Sequence, residues 1–207
     1  LWQHALKTLS GVQCIGLEAA VQMVGFYERA GFQKDCITTR RQMLFRSEST
    51  LDLSPSQRSD VAVVPLREVS LEAIQRYDER HEISPRPHFL ELWLRHRAGD
   101  VFAARDAEGE CHGYVRIRPC LLPIGEGWRV GPWLAEDPGM ASLLLNNALD
   151  HHNGVVLIDT PGHNPSAKTI LSARGFKPMT STVRMYKGVI PKGHDRNVYG
   201  LACLELG

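Results

Sequence analysis

Two short stretches of this chain repeat each other: Phe26-Tyr27-Glu28-Arg29-Ala30-Gly31-Phe32 and Leu171-Ser172-Ala173-Arg174-Gly175-Phe176. Each follows an apolar run at helical spacing and ends on a Gly-Phe pair, glycine being the usual residue just past a helix. Gly31 and Gly175 stand 144 positions apart, about the length of one domain. Self-similarity at that period constrains the fold more than composition does. The chain reads as the C-terminal part of one α/β domain followed by a complete second copy. The copies differ at one position that bears on chemistry: the first has Tyr27 where the second has Leu171.

Periodicity fills in the elements. Residues 2–9 carry apolar side chains at helical spacing, 12–17 form a short apolar strand, 19–30 are helical again, and 36–45 read as a strand. This is too little to bury both faces of a sheet alone. A serine-rich stretch broken by Pro55 follows, with the composition of a linker. We therefore expect a first-domain remnant at 1–46, a linker at 47–59 and the second domain at 60–207. The second copy reads as a strand, two helices, three meandering strands, a helix, a strand, a helix and two final strands. Ser70 is the expected N-cap of its first helix, and Asp106-Ala107-Glu108-Gly109 is a hairpin turn signal.

The formal net charge of +1 gives no footprint for nucleic acid or an anionic membrane. No apolar run reaches the roughly 20 residues that a membrane span requires. Leu1-Trp2-Gln3-His4 opens the chain without a signal pattern, and it reads as a cut inside a helix. The five cysteines are odd in number and form no C-x-x-C pair, so we expect reduced thiols and a cytoplasmic protein. His151 and His152 have no third ligand nearby in sequence, and no metal is expected.

A helix ending in Phe-Tyr-x-x-x-Gly-Phe within this element order resembles the GNAT superfamily of acetyl-CoA-dependent N-acetyltransferases. The words Gly131-Pro132-Trp133-Leu134-Ala135-Glu136-Asp137, Asp159-Thr160-Pro161 with Asn164, Arg184-Met185-Tyr186-Lys187-Gly188 and Leu204-Glu205-Leu206-Gly207 resemble the C-terminal domain of tandem-GNAT proteins. The resemblance covers nearly the whole chain. It implies a mixed α/β fold with a mostly antiparallel central sheet flanked by helices. It further implies acetyl transfer from acetyl-CoA to a small-molecule or peptide amine, by direct attack in a ternary complex. In the family the acyl-pantetheine arm lies between two splayed parallel strands, and the pyrophosphate sits on N–H groups at a helix N-terminus. The loop for it, Gln/Arg-x-x-Gly-x-Gly/Ala, would precede Leu1 in the first copy. In the second copy that position reads Ala135-Glu136-Asp137-Pro138-Gly139-Met140-Ala141. One glycine, a proline and two acids that would repel a pyrophosphate depart from the pattern.

The resemblance also implies roles for residues. Tyr27 stands where family members carry a tyrosine that protonates the departing thiolate; a phenol with pKa near 10 suits that task. Phe26, Tyr27 and Arg29 would border the cofactor, although Arg29 also reads as an ordinary solvated helix charge. Glu18 ends a strand where a carboxylate could bind the amine or take its proton; a surface or capping role competes. In the second copy Asp159, Arg184 and Tyr186 lie near strand ends and could face a shared substrate cleft through charge-assisted hydrogen bonds; ion pairing within the domain is the rival. Asn164 matches the family's usual asparagine, and Asn164-Pro165 equally reads as a helix cap. The alternative to an enzyme is a non-catalytic acyl-CoA- or ligand-binding module, which Leu171 and the two acids favour. The remnant should either pack on the second domain or pair with another chain as a homo-oligomer, and no nucleic-acid or membrane partner is expected.

Overall fold

The computed structural model describes residues 2–46, 60–123, 125–190 and 195–204; the expected linker at 47–59 lies outside them. In chain order the elements are α1 (Trp2–Thr8), β1 (Cys14–Ala20), α2 (Val24–Arg29), β2 (Gln33–Phe45), β3 (Ala62–Pro65), α3 (Leu71–His81), α4 (Pro87–Arg95) and β4 (Asp100–Arg105). There follow β5 (Cys111–Leu122), β6 (Gly125–Ala135), α5 (Pro138–Leu149), β7 (Gly154–Thr160), α6 (Pro165–Ala173), β8 (Lys177–Gly188) and β9 (Val198–Gly200).

The repeated words end α2 and α6 in the same way. Gly31 and Gly175 adopt φ of +88° and +83°, a left-handed conformation that favours glycine. Phe32 N donates to Tyr27 O and Phe176 N to Leu171 O, both at 3.0 Å. Gly31 N and Gly175 N donate to Glu28 O and Ser172 O, completing a Schellman cap at each helix end. The cap turns each phenylalanine into the core, where Phe32 and Phe176 are 3% and 2% exposed. Burying each stabilises the fold by about 1.5–3 kcal/mol.

One nine-stranded sheet runs through the molecule in the order β1-β8-β2-β7-β6-β5-β4-β3, with β9 added against β6. All pairings are antiparallel except β6 with β7. The mixed, mostly antiparallel sheet read from the sequence is therefore what the chain forms. The first part of the chain does not sit beside the second copy's sheet. Its β2 lies between β7 and β8, while β8 in turn lies between β1 and β2. Thr38 pairs with Thr182, and these residues also stand 144 positions apart. The β1-α2-β2 and β7-α6-β8 units are thus related by a local pseudo-two-fold axis through that threonine pair.

Helices α5 and α6 cover one part of the sheet with Trp133, Leu144, Leu149 and Phe176 in their core. A second cluster joins α3 and α4 to the sheet through Ile74, Tyr77, Leu90 and Tyr114. A smaller one holds Ala19, Val24, Phe32 and Met185 with Trp2 and Leu6. Helix α3 is capped as expected, Ser70 Oγ accepting from Ala73 N at 3.1 Å. Helix α5 starts three residues earlier than its apolar spacing suggests, because Asp137 caps it and Pro138 fits its first turn.

Candidate active site at the seam of the two copies

Glu18 faces Arg184 across the β1–β8 pair, and its side chain is only 5% exposed. The Thr38 hydroxyl donates to one carboxylate oxygen at 2.9 Å and the Thr182 hydroxyl to the other at 2.6 Å. Arg184 Nη1 stands 3.8 Å away, and Arg184 Nε donates to Tyr186 Oη at 3.0 Å. Burial pushes the Glu18 carboxyl above its ordinary range, and the two hydroxyls and Arg184 only partly oppose it. Burial likewise disfavours the Arg184 charge, but Tyr186, Glu18 and Cys36 more than compensate. Gly16 makes room for this group, since a Cβ there would stand 2.9 Å from Tyr186 Cε1 and 3.3 Å from Arg184 Nη2.

These residues line a small open cleft where the first part of the chain meets β8. Glu18, Cys36 and Thr38 come from the first copy, and Arg184 and Tyr186 from β8. Glu82 and Ile83, just past α3, form another wall, and Val198 and Leu201 a third. The α3 wall is held by Asp78, 1% exposed. Arg86 grips Asp78 with two bonds of 3.0 and 2.8 Å and reaches Glu82 at 2.7 Å, while the Tyr114 hydroxyl also donates to Asp78.

Of the residues singled out from the sequence, Glu18, Arg184 and Tyr186 therefore converge. Asp159 does not line the cleft. It is 1% exposed and taken by Arg40, whose Nε and Nη2 donate at 2.7 and 2.9 Å. Asn164 is spent on structure: its Oδ1 caps α6 through Ala167 N, and its Nδ2 donates to Arg196 O and Val198 O. Phe26, Tyr27 and Arg29 lie together on α2, away from the cleft walls. Tyr27 is half-buried in an aromatic cluster, 5.5 Å from Trp2 and 5.9 Å from Phe32 between ring centroids. Thr38 and Thr182 were not anticipated, although their 144-residue offset marked them as a repeat pair.

In the second copy, the places where the family holds the acyl-pantetheine arm and the pyrophosphate fall between β6 and β7 and at the start of α5. Strands β6 and β7 pair only over Trp128–Val130 and Val156–Ile158, then part. The gap is filled by the chain itself. Trp133 and Leu134 of β6 pair with Gly200 and Val198 of β9, and Leu201 N donates to Asp159 O of β7 at 2.9 Å. Tyr199 and Ala202 are 2% and 0% exposed. At α5, the Asp137 carboxylate already accepts from Met140 N at 2.9 Å, and Pro138 has no N–H to offer. The residues of the second copy do not fit acetyl-CoA.

A family model for an acetyltransferase (GNAT) domain matches residues 74–200. The chain belongs to the GNAT acetyltransferases. This GNAT chain is 28% identical over 140 residues to holothin acyltransferase from Pseudoalteromonas sp. (strain SANK 73390). That match covers 67% of the chain but only 46% of the relative, so the chain spans about half the length of the curated protein it matches. Among solved structures it is similar to an assumed acetyltransferase of Pyrococcus horikoshii, with a TM-score of 0.76 and 21% identity over all of this chain and 64% of that one. A GCN5-related N-acetyltransferase of Anabaena variabilis matches 90% of this chain and 49% of its own, with a TM-score of 0.57 and 16% identity. At such identities these structures speak for the fold alone. Among the described residues no helix is long and apolar enough to cross a membrane.

Proposed function

We propose that this GNAT protein transfers an acetyl group from acetyl-CoA to a primary amine, with the acceptor entering the cleft at the seam. The observation that carries the reading is Glu18, a buried carboxylate aimed into a cleft built by both copies. A carboxyl raised by burial both pairs with an ammonium and accepts its proton more readily than an exposed one. The acyl donor would lie on the first copy, along β1 and beside Phe26, Tyr27 and Arg29. When bound it supplies an acetyl thioester. The amine nitrogen attacks the carbonyl, the C–N bond forms and the C–S bond breaks. Glu18 would take the proton of the amine from the cleft face of β1, and the Tyr27 hydroxyl, on the α2 face of that strand, would give one to the departing thiolate; both side chains would then re-equilibrate with solvent.

A second reading, a ligand-binding module without turnover, is favoured by β9 filling the second copy's strand gap. Thiol release from acetyl-CoA in the presence of a panel of primary amines separates the two. The enzyme reading expects amine-dependent release, lowered about 100-fold in kcat by Tyr27→Phe with KM little changed. Binding of an amine without any release would leave the module reading.

A further inference from the structure

Three ligand-type side chains meet at the rim of the same cleft. A carboxylate oxygen of Asp35, Sγ of Cys36 and a ring nitrogen of His163 lie within 4.8 Å of one another. No sequence spacing announces them, because His163 comes from a loop far along the chain from its two partners. Two backbone devices bring them together. Successive side chains of a regular strand point to opposite faces, so Asp35 and Cys36 should part. But β2 shifts register against β8 between Lys34 and Ile37. Such a bulge re-aims a side chain, and both residues face the cleft. On the other side, Gly162 lets the β7–α6 loop close onto β2: a Cβ there would stand 2.6 Å from Ile37 O and 3.5 Å from Cys36 Cβ. The loop is also fixed beyond His163, where the Asn164 side chain is bonded at both ends.

We infer that Asp35, Cys36 and His163 form a binding site for a divalent cation that prefers thiolate and imidazole, zinc foremost. The site ties β2 of the first copy to the β7–α6 loop of the second. One sulfur, one imidazole nitrogen and one carboxylate oxygen make a three-ligand set of the kind that leaves zinc a fourth, open position. In tetrahedral zinc, sulfur and nitrogen donors stand about 3.5 Å apart. His163 Nε2 and Asp35 Oδ2 now share a hydrogen bond of 2.9 Å, which the metal would replace as the two donors part to about 3.3 Å. The thiol proton leaves to solvent as the metal–sulfur bond forms. A water or a heteroatom of a bound ligand would complete the fourth position.

Cobalt(II) is the probe, because its thiolate complexes absorb in the near ultraviolet. The full chain, stripped with a chelator, should bind one equivalent of Co²⁺ with a thiolate-to-cobalt charge-transfer band that Zn²⁺ abolishes. Cys36→Ser should remove the band, whereas Cys14→Ser and Cys120→Ser, on β1 and β5, should keep it. Absence of the band at stoichiometric metal, or its survival in Cys36→Ser, overturns the site. Should Cys36→Ser fail to fold, Asp35→Asn and His163→Gln must each weaken Co²⁺ binding at least about tenfold; undiminished binding in both overturns it equally. None of these readouts involves acyl transfer, so the metal site and the acetyltransferase reading fail separately.

Discussion

Each copy sets a carboxylate on one strand against an arginine on the next: Glu18 with Arg184 across β1 and β8, and Asp159 with Arg40 across β7 and β2. The two arginines stand 144 positions apart but the two carboxylates 141, so the arginines are repeat equivalents and the carboxylates are not. They have been put to different ends. Asp159 is gripped at 2.7 Å and closed off, while Glu18 keeps 3.8 Å from its arginine and faces a cleft. Arg40→Ala should therefore cost about 3 kcal/mol in urea unfolding, since it leaves a buried carboxylate with only Arg129, 4.0 Å away, to offset it; adding Asp159→Asn should recover part of the loss. Glu18 titrates the other way. Its folded pKa lies above the unfolded value of 4.5, so the native state binds the proton more tightly. The stability that Glu18 contributes is full below pH 4.5 and falls as pH rises through its folded pKa. Glu18→Gln should match or exceed the wild type in melting temperature at pH 7.5, with the gain vanishing below pH 4.5, while lowering kcat/KM about 100-fold or more. A variant less stable than wild type at pH 7.5 would contradict this assignment. Read from the sequence, Glu18, Arg184 and Tyr186 each lie near strand ends, whereas Glu18 lies within β1 and Arg184 and Tyr186 within β8, and it is the pairing of those two strands that brings them together. The fate of Asp159 was not legible either: nothing near it in sequence reveals that β2 brings in Arg40.

At the scale of elements, the Gly-Phe words foretold two identical helix ends, and the Schellman caps follow directly from them. Residues 19–23 are less helical than their spacing suggests. Ala19 is fully buried in β1, the strand runs to Ala20, and a 3₁₀ turn over Val21–Met23 leads into α2. Strand β9 carries the largest functional consequence. Gly131 has φ +147°, and a Cβ there would stand 1.9 Å from Leu201 O, so β6 accepts the returning chain only because this residue is glycine. Gly131→Ala should unseat β9 and lower the melting temperature. Amide exchange mapped with and without acetyl-CoA should show residues 131–141 unchanged, with any protection on β1 and α2. Protection over 131–141 would mean that the second copy holds the cofactor after all.

For the molecule as a whole, the repeated Gly-Phe helix end was legible but the interleaving of strands was not. A repeat tells how many times a unit occurs, whereas strand order depends on which edges find each other. The register shift in β2 that gathers Asp35 and Cys36 is equally silent in sequence, for no glycine or proline marks it. With β2 seated between β7 and β8 and β1 paired to β8, residues 2–46 are bound by three strand ladders. A chain cut at a protease site placed within 47–59 should therefore elute as one particle in native buffer and separate only in denaturant. Spontaneous separation would show the ladders to be weak. The same interleaving governs how a ligand reaches Glu18. Two domains joined by a linker open and shut like jaws, but here Glu18, Thr38, Arg184 and Tyr186 lie on paired neighbouring strands, so the floor of the cleft cannot swing apart. Exchange of ligand would fall to the two segments that line it without belonging to those strands, the turn after α3 and the Pro161–His163 loop, the second already closed onto β2 through Gly162. Turnover would then be set by the rate at which those few residues flex, and shortening or stiffening either of them would throttle the protein without touching its chemistry.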